Sequence, residues 1–228
     1  MRTPLLVTAA LCAFTGIAHA EPGGVSSVSG PSVSEGKLKL EIRTVAWDGG
    51  ALDDRWQHRA QAGYGFTDFW NAAIILRATQ PADENAELTS VAFENKFDLA
   101  FTRDWPVHLG VQFEYKIGID NRDDEIEFKL LAEREIGDLT LRANLIGGRS
   151  LADESDWEGA YSARASWRAS ESFAFGAELF GEPEIDAHYF GPRTDFTFGH
   201  TTLSIGYLAG FDEAAADGQL RFTLEYAH

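Results

Sequence analysis

The sequence is short of cysteine. It has one, Cys12, among 228 residues. A chain with a single thiol forms no internal disulfide, which excludes a disulfide-stapled scaffold. It is also short of long apolar runs. After the first twenty residues no stretch reaches the roughly 20 apolar residues that a helix needs to cross a bilayer. Basic residues are scarce, with 19 Lys and Arg against 36 Asp and Glu and a formal net charge of −17. That sign argues against nucleic acid as a partner, because phosphate backbones are gripped by basic faces.

The N-terminus carries an address. Met1-Arg2 is a short basic start, Leu5 to Ile17 is apolar, and Ala18-His19-Ala20 places small residues where a signal peptidase reads. This predicts a secretory signal peptide over residues 1–20. Cys12 lies inside it, and Leu11 stands where a lipobox needs a small residue, so no lipoprotein is expected. Residues 21–36 are rich in Gly, Ser and Pro. They are expected to form a flexible periplasmic leader with no core of its own. Residues 37–228 suit one domain.

What that domain has in abundance is alternation. From Val107 to Ile119 every odd position is apolar and every even one polar or Gly. A strand with period two shows one chemistry to each face of a sheet. Twelve segments of this kind are expected, over 37–47, 55–66, 69–79, 87–101, 107–119, 125–136, 139–149, 157–168, 173–181, 187–198, 201–211 and 218–227. Short turns alternate with longer, acidic connections. Segments of about ten alternating residues, in even number, with short turns at one end and long loops at the other, predict an all-β fold, a transmembrane antiparallel up-and-down barrel. A mean hydropathy of −0.21 hides such a protein, since inward polar residues dilute the outward apolar ones.

One phase of the strands is apolar: Leu38, Leu40 and Ile42 in the first, Ile74 and Leu76 in the third, Leu220, Phe222 and Leu224 in the last. It would face lipid. All six Trp lie near strand ends, where two interfacial girdles are expected. The other phase would line the lumen with mixed charge: Glu41, Arg43, Arg59, Glu94, Lys96, Glu114, Lys116, Glu127, Lys129, Glu133, Arg142, Arg164, Arg168, Arg193 and Arg221. A soluble sandwich would turn the same pattern inside out. Its usual strands are shorter than these.

The excess acid falls in the longer connections, which predicts a negative extracellular mouth. Asp120, Asp123, Asp124 and Glu125 form the densest loop. It lacks the Gly and the spacing of an EF-hand, so solvation or bridging to lipopolysaccharide is the expected role. No catalytic constellation is expected: His58 faces lipid without a serine at matching depth. His188 lies beside Asp186 and Glu184, where a metal is conceivable, but a surface histidine among acids is the plainer reading. No metal or cofactor is therefore expected.

Tyr64-Gly65-Phe66-Thr67-Asp68-Phe69-Trp70, echoed by Phe101-Thr102-Arg103-Asp104-Trp105, resembles the periplasmic turns of porin-like and transporter-like outer-membrane proteins of Gram-negative bacteria. The resemblance implies a barrel of the outer membrane, inserted by the barrel assembly machinery among lipid and lipopolysaccharide, and not an enzyme. It implies passage of small polar solutes. A lumen closed by its own salt bridges, serving structure or adhesion, is the alternative.

Overall fold

The computed structural model describes residues 24–212 and 215–228. The signal peptide expected over 1–20 lies outside them. Twelve strands follow in order: β1 (Leu38–Asp48), β2 (Trp56–Gly65), β3 (Trp70–Gln80), β4 (Glu87–Asp98), β5 (His108–Gly118), β6 (Glu125–Ile136), β7 (Leu139–Ser150), β8 (Glu158–Arg168), β9 (Phe173–Glu182), β10 (Ala187–Phe198), β11 (Thr201–Gly210) and β12 (Gly218–Ala227). Each pairs antiparallel with its neighbour, and β12 closes on β1. Closure leaves no unpaired edge, which a bilayer demands of any sheet that spans it.

The closing register keeps the phase of the sequence. Glu41 faces Glu225 and Arg43 faces Thr223, while Ile42 faces Leu224 on the other side. The inward phase is buried and the outward phase is not. Glu114 and Glu178 are each 2% exposed, whereas Ile42 is 59% and Leu145 64% exposed. An apolar exterior around a charged interior is the inverse of a soluble protein. It fits lipid outside and water or partners inside.

The short turns are built locally. Gly137 and Gly199 hold φ near +60° in two-residue hairpins, the left-handed conformation such turns require. Thr67 accepts from the amides of Phe69 and Trp70 at 3.3 and 3.0 Å. One boundary departs from the periodicity. β4 ends at Asp98, and a 3-10 turn covers Ala100–Thr102. The Thr102 hydroxyl donates to the Leu99 carbonyl and accepts from the Leu109 amide, both at 2.8 Å, which bends the chain out of the sheet. Arg103 then reaches Asp98 at 2.7 Å and the Asp68 carbonyl at 2.8 Å, tying two neighbouring turns together.

Two expectations are corrected. Trp47 does not belong to a girdle. It shares the inward phase of Glu41, Arg43 and Val45, is 7% exposed, and packs edge-to-face on Tyr189 at 5.7 Å. Trp56, Trp105, Trp157 and Trp167 remain exposed near strand ends. Nor does the Gly-, Ser- and Pro-rich segment hang free. From Gly24 to Pro31 it lies inside the barrel, with Val25 and Val28 each only 3% exposed. The lumen supplies the core that this segment lacks by itself.

Candidate functional site

The site is the lumen and the segment within it. At the short-turn end the segment joins β1, where Gly36 donates to the Gly65 carbonyl at 2.8 Å. Pro31 is buried against Gly110, where an added Cβ would fall 2.8 Å from the Pro31 Cβ. Gly30 passes equally close to Glu133 and Arg142, and its carbonyl accepts from Lys96 at 3.4 Å. At Ser29 the amide donates to the Asn144 side chain and the carbonyl accepts from it, at 2.8 and 2.9 Å. Arg43 then donates to the Val25 carbonyl, and Arg221 to those of Ser26 and Gly24, the last at 2.8 Å. Buried carbonyls need donors, and here arginines of the wall supply them.

The far end of the path is apolar. Val25 and Val28 join Val45, Trp47, Phe180, Ala187, Tyr189, Leu208 and Ala216 in one cluster toward the long loops. The lumen is therefore closed on that side by packing. On the other side a cavity of about 420 Å³ runs along the segment and reaches Ser170 and Glu171 in a short turn. Its wall carries Lys39, Arg43, Lys96, Arg142, Arg164, Arg168 and Arg193 against Glu41, Glu171, Asp195 and Glu225. Cations predominate there.

Many charged residues of the inward phase form a network in the barrel interior. Glu41 takes Arg43 at 2.5 Å and Arg59 at 3.2 Å, and Arg59 reaches on to Glu94 at 3.3 Å. Lys129 meets Glu127 at 2.9 Å, Arg77 meets Glu114 at 2.7 Å, and Arg142 pairs with Glu133. Arg193 bridges Glu178 and Asp195, both at 2.8 Å. Arg164 stands 3.8 Å from Glu178 and faces the cavity. Arg168 lines the same cavity near its opening. This contrast gives a prediction. Arg59→Ala removes the buried cation shared by Glu41 and Glu94 and leaves Glu94 with glutamine donors in place of an ion pair, so it should lower stability by about 3 kcal/mol, while Arg164→Ala should lower it by less than about 1 kcal/mol. Denaturant midpoints of the two variants in the same detergent check it.

The acidic loop divides in two. Asp120 and Asp123 are exposed. Asp124 accepts from Tyr115 at 2.6 Å and from the Gly118 amide at 3.0 Å, and Glu125 starts β6 paired with Lys116 at 2.5 Å. Outside the lumen, His58 has its Nδ1 3.1 Å from the Thr44 hydroxyl. His188 has Tyr161 at 2.9 Å rather than Glu184, whose carboxylate accepts from the Gly159 amide at 2.9 and 3.0 Å.

No protein-family model matches the sequence, and no curated protein matches it. Solved structures do match. The chain is similar to the KdgM porin in complex with disordered oligogalacturonate, with a TM-score of 0.63 at 8% identity over 82% of this chain and 98% of that one. It is similar to the NanC porin, at 0.61 and 11% identity over the same shares. Omp33 of Acinetobacter baumannii gives 0.55 at 10% identity, over 88% and 100%. At such identities the likeness is one of fold. The fold is that of the outer-membrane porins. With its apolar exterior and closed twelve-strand sheet, the protein is a porin-like β-barrel of the outer membrane.

Proposed function

We propose that the barrel passes small polar solutes, and that its own residues 24–33 obstruct the path. The observation that carries this reading is the wall behind the segment. It is charged and polar, and a cavity of about 420 Å³ already opens beside it toward the short turns. A barrel built only as a structural post would fill its lumen with side chains, as small barrels do. Here a stretch outside the strands fills it, held by side-chain bonds to its carbonyls. The fold shared with porins supports the reading, and so does the oligogalacturonate of the KdgM complex. The reading includes no catalysis.

The two ends differ in sign. The long loops present Asp120 and Asp123 to solvent, and the inner cavity presents arginines. The outer mouth then attracts cations, because a focused negative potential concentrates counter-ions. Asp120→Asn with Asp123→Asn should lower cation preference in planar bilayers, and the difference should shrink as salt shortens the Debye length to about 3 Å at 1 M. Both residues are free of the contacts that hold Asp124 and Glu125, so the barrel should stay folded. Anion preference of the unaltered protein at low salt would reject the acidic mouth. The competing reading is a permanently closed lumen, favoured by the apolar cluster under the long loops. It predicts a protein that stays silent in bilayers even when residues 24–33 are removed.

A further inference from the structure

We propose that Asp186, His188 and Asp212 form a binding site for a divalent transition metal of the zinc class at the extracellular rim. The three residues come from different parts of the chain. Asp186 closes the loop between β9 and β10, His188 is the second residue of β10, and Asp212 follows β11. Pairing of β10 with β11 brings them together, and the Phe211 amide donates to the His188 carbonyl at 3.2 Å. One ligand atom from each residue lies within 4.8 Å of the others.

The histidine is positioned as a metal ligand would be. Its Nδ1 is 2.9 Å from the Tyr161 hydroxyl. With Nδ1–H donating to that hydroxyl, Nε2 keeps its lone pair, which is the outer-shell arrangement of metal-bound imidazoles. Nε2 faces Asp186 Oδ1 at 3.8 Å. The ring stacks on Phe211 at 5.7 Å and 17°. Gly181 leaves the space for this: a Cβ there would fall 2.4 Å from both His188 Nδ1 and the Tyr161 ring.

A second, independent observation concerns Asp212. Its Oδ2 is buried and has no hydrogen-bond partner among the described residues. A carboxylate oxygen removed from water and left unpaired is costly, and a cation removes that cost. A metal also relieves the repulsion of two carboxylates brought this close. Bonds of about 2.0–2.2 Å to nitrogen and oxygen require the three atoms to close in slightly. The Asp186 side chain is 82% exposed and is free to move inward. One imidazole among the oxygens selects zinc, nickel or copper over calcium or magnesium. Three protein ligands leave a coordination position for water. The site would clamp the β9–β10 and β11–β12 loops where Ala187, Tyr189 and Ala216 roof the apolar cluster. It stands whether or not the lumen conducts.

Calorimetric titration of zinc chloride into untagged protein in detergent tests the site. His200 and His228 lie with ring centroids 4.9 Å apart at the other end of the barrel, so a His200→Gln background removes a competing pair. In that background one zinc should bind per barrel, and calcium chloride should give no binding. Adding His188→Gln should abolish it. Asp212→Asn should weaken it, and Tyr161→Phe should weaken it about tenfold by freeing the ring. A heat-modifiable gel band establishes that each variant is folded, and Asp212→Asn alone decides the matter if His188→Gln does not fold. Zinc binding that survives His188→Gln, zinc binding as tight with Asp212→Asn as without it, no zinc binding at all, or calcium binding in its place would overturn the proposal.

Discussion

Removing residues 24–33 should raise conductance in planar bilayers by about tenfold or more, because it empties a lumen whose wall is already wide enough to surround a chain. The strands lose nothing in this variant. Every ladder from β1 to β12 begins at Leu38 or later. What disappears is Val25, Val28 and Pro31 from the interior, together with the carbonyls that occupy Arg43, Arg221 and Lys96. Those three cations would face water instead. Arg43 keeps Glu41 at 2.5 Å, so it is not stranded by the loss. Folding can be read separately from heat modifiability on a gel. A folded deletion variant with unchanged conductance would show that side chains of the wall close the lumen, and the structural reading would replace the channel.

The hold on this segment is modest, which is why it can act as an obstruction rather than a fixed wall. Ordering a residue's backbone costs about 1–2 kcal/mol, and burying one valine returns about 1.5–3 kcal/mol. Only three apolar side chains of the segment are deeply buried. The remainder is polar bonding, where each exchange of water for protein nets about 0.5–1.5 kcal/mol. None of its residues pairs in the sheet.

Much of the barrel was legible because side-chain period and turn chemistry are local. The strand phase puts Glu41 and Arg43 inside and Ile42 and Leu224 outside, and burial follows it. Even β6 and β10 begin and end where the alternation does. The segment over 24–36 was not legible in the same way. Gly, Ser and Pro set chain stiffness, and they say nothing of where the main-chain carbonyls find donors. One signal was present. Val25, Val28 and Pro31 recur every third residue, the period of an extended polyproline-type chain that shows one face to a wall. Trp47 stands near a strand end as a girdle residue would, but the phase it shares with Arg43 turns it inward. No sequence spacing links Asp212 to His188, because they meet through the pairing of β10 with β11, while Glu184, close in sequence, turns away to the Gly159 amide. Thr102 ended β4 early through a side-chain bond that no periodicity encodes.

Glu178→Gln should destabilise the barrel by about 3–5 kcal/mol, the cost of breaking a buried charge cluster by removing one partner. Glu178 is 2% exposed. Arg193 meets it at 2.8 Å, Arg164 at 3.8 Å and Arg221 at 4.0 Å. Glutamine keeps the shape and an acceptor for Arg193, but it removes the charge that three guanidinium groups share. Asp195 cannot replace it, since it meets only Arg193 and is itself partly open to the cavity. Asp195→Asn should therefore cost about 1 kcal/mol or less, as expected of a pair with access to water. The sign of the residual charge gives the sharper measurement. If repulsion among arginines is the cause, Arg164→Gln placed on top of Glu178→Gln should recover part of the loss, although each change alone removes a polar contact. Urea midpoints of the two single variants and the double variant in one lipid and one buffer supply the comparison. A double variant less stable than Glu178→Gln alone would mean that Arg164 contributes through packing in the wall, and the charge-cluster account of this part of the lumen would be wrong.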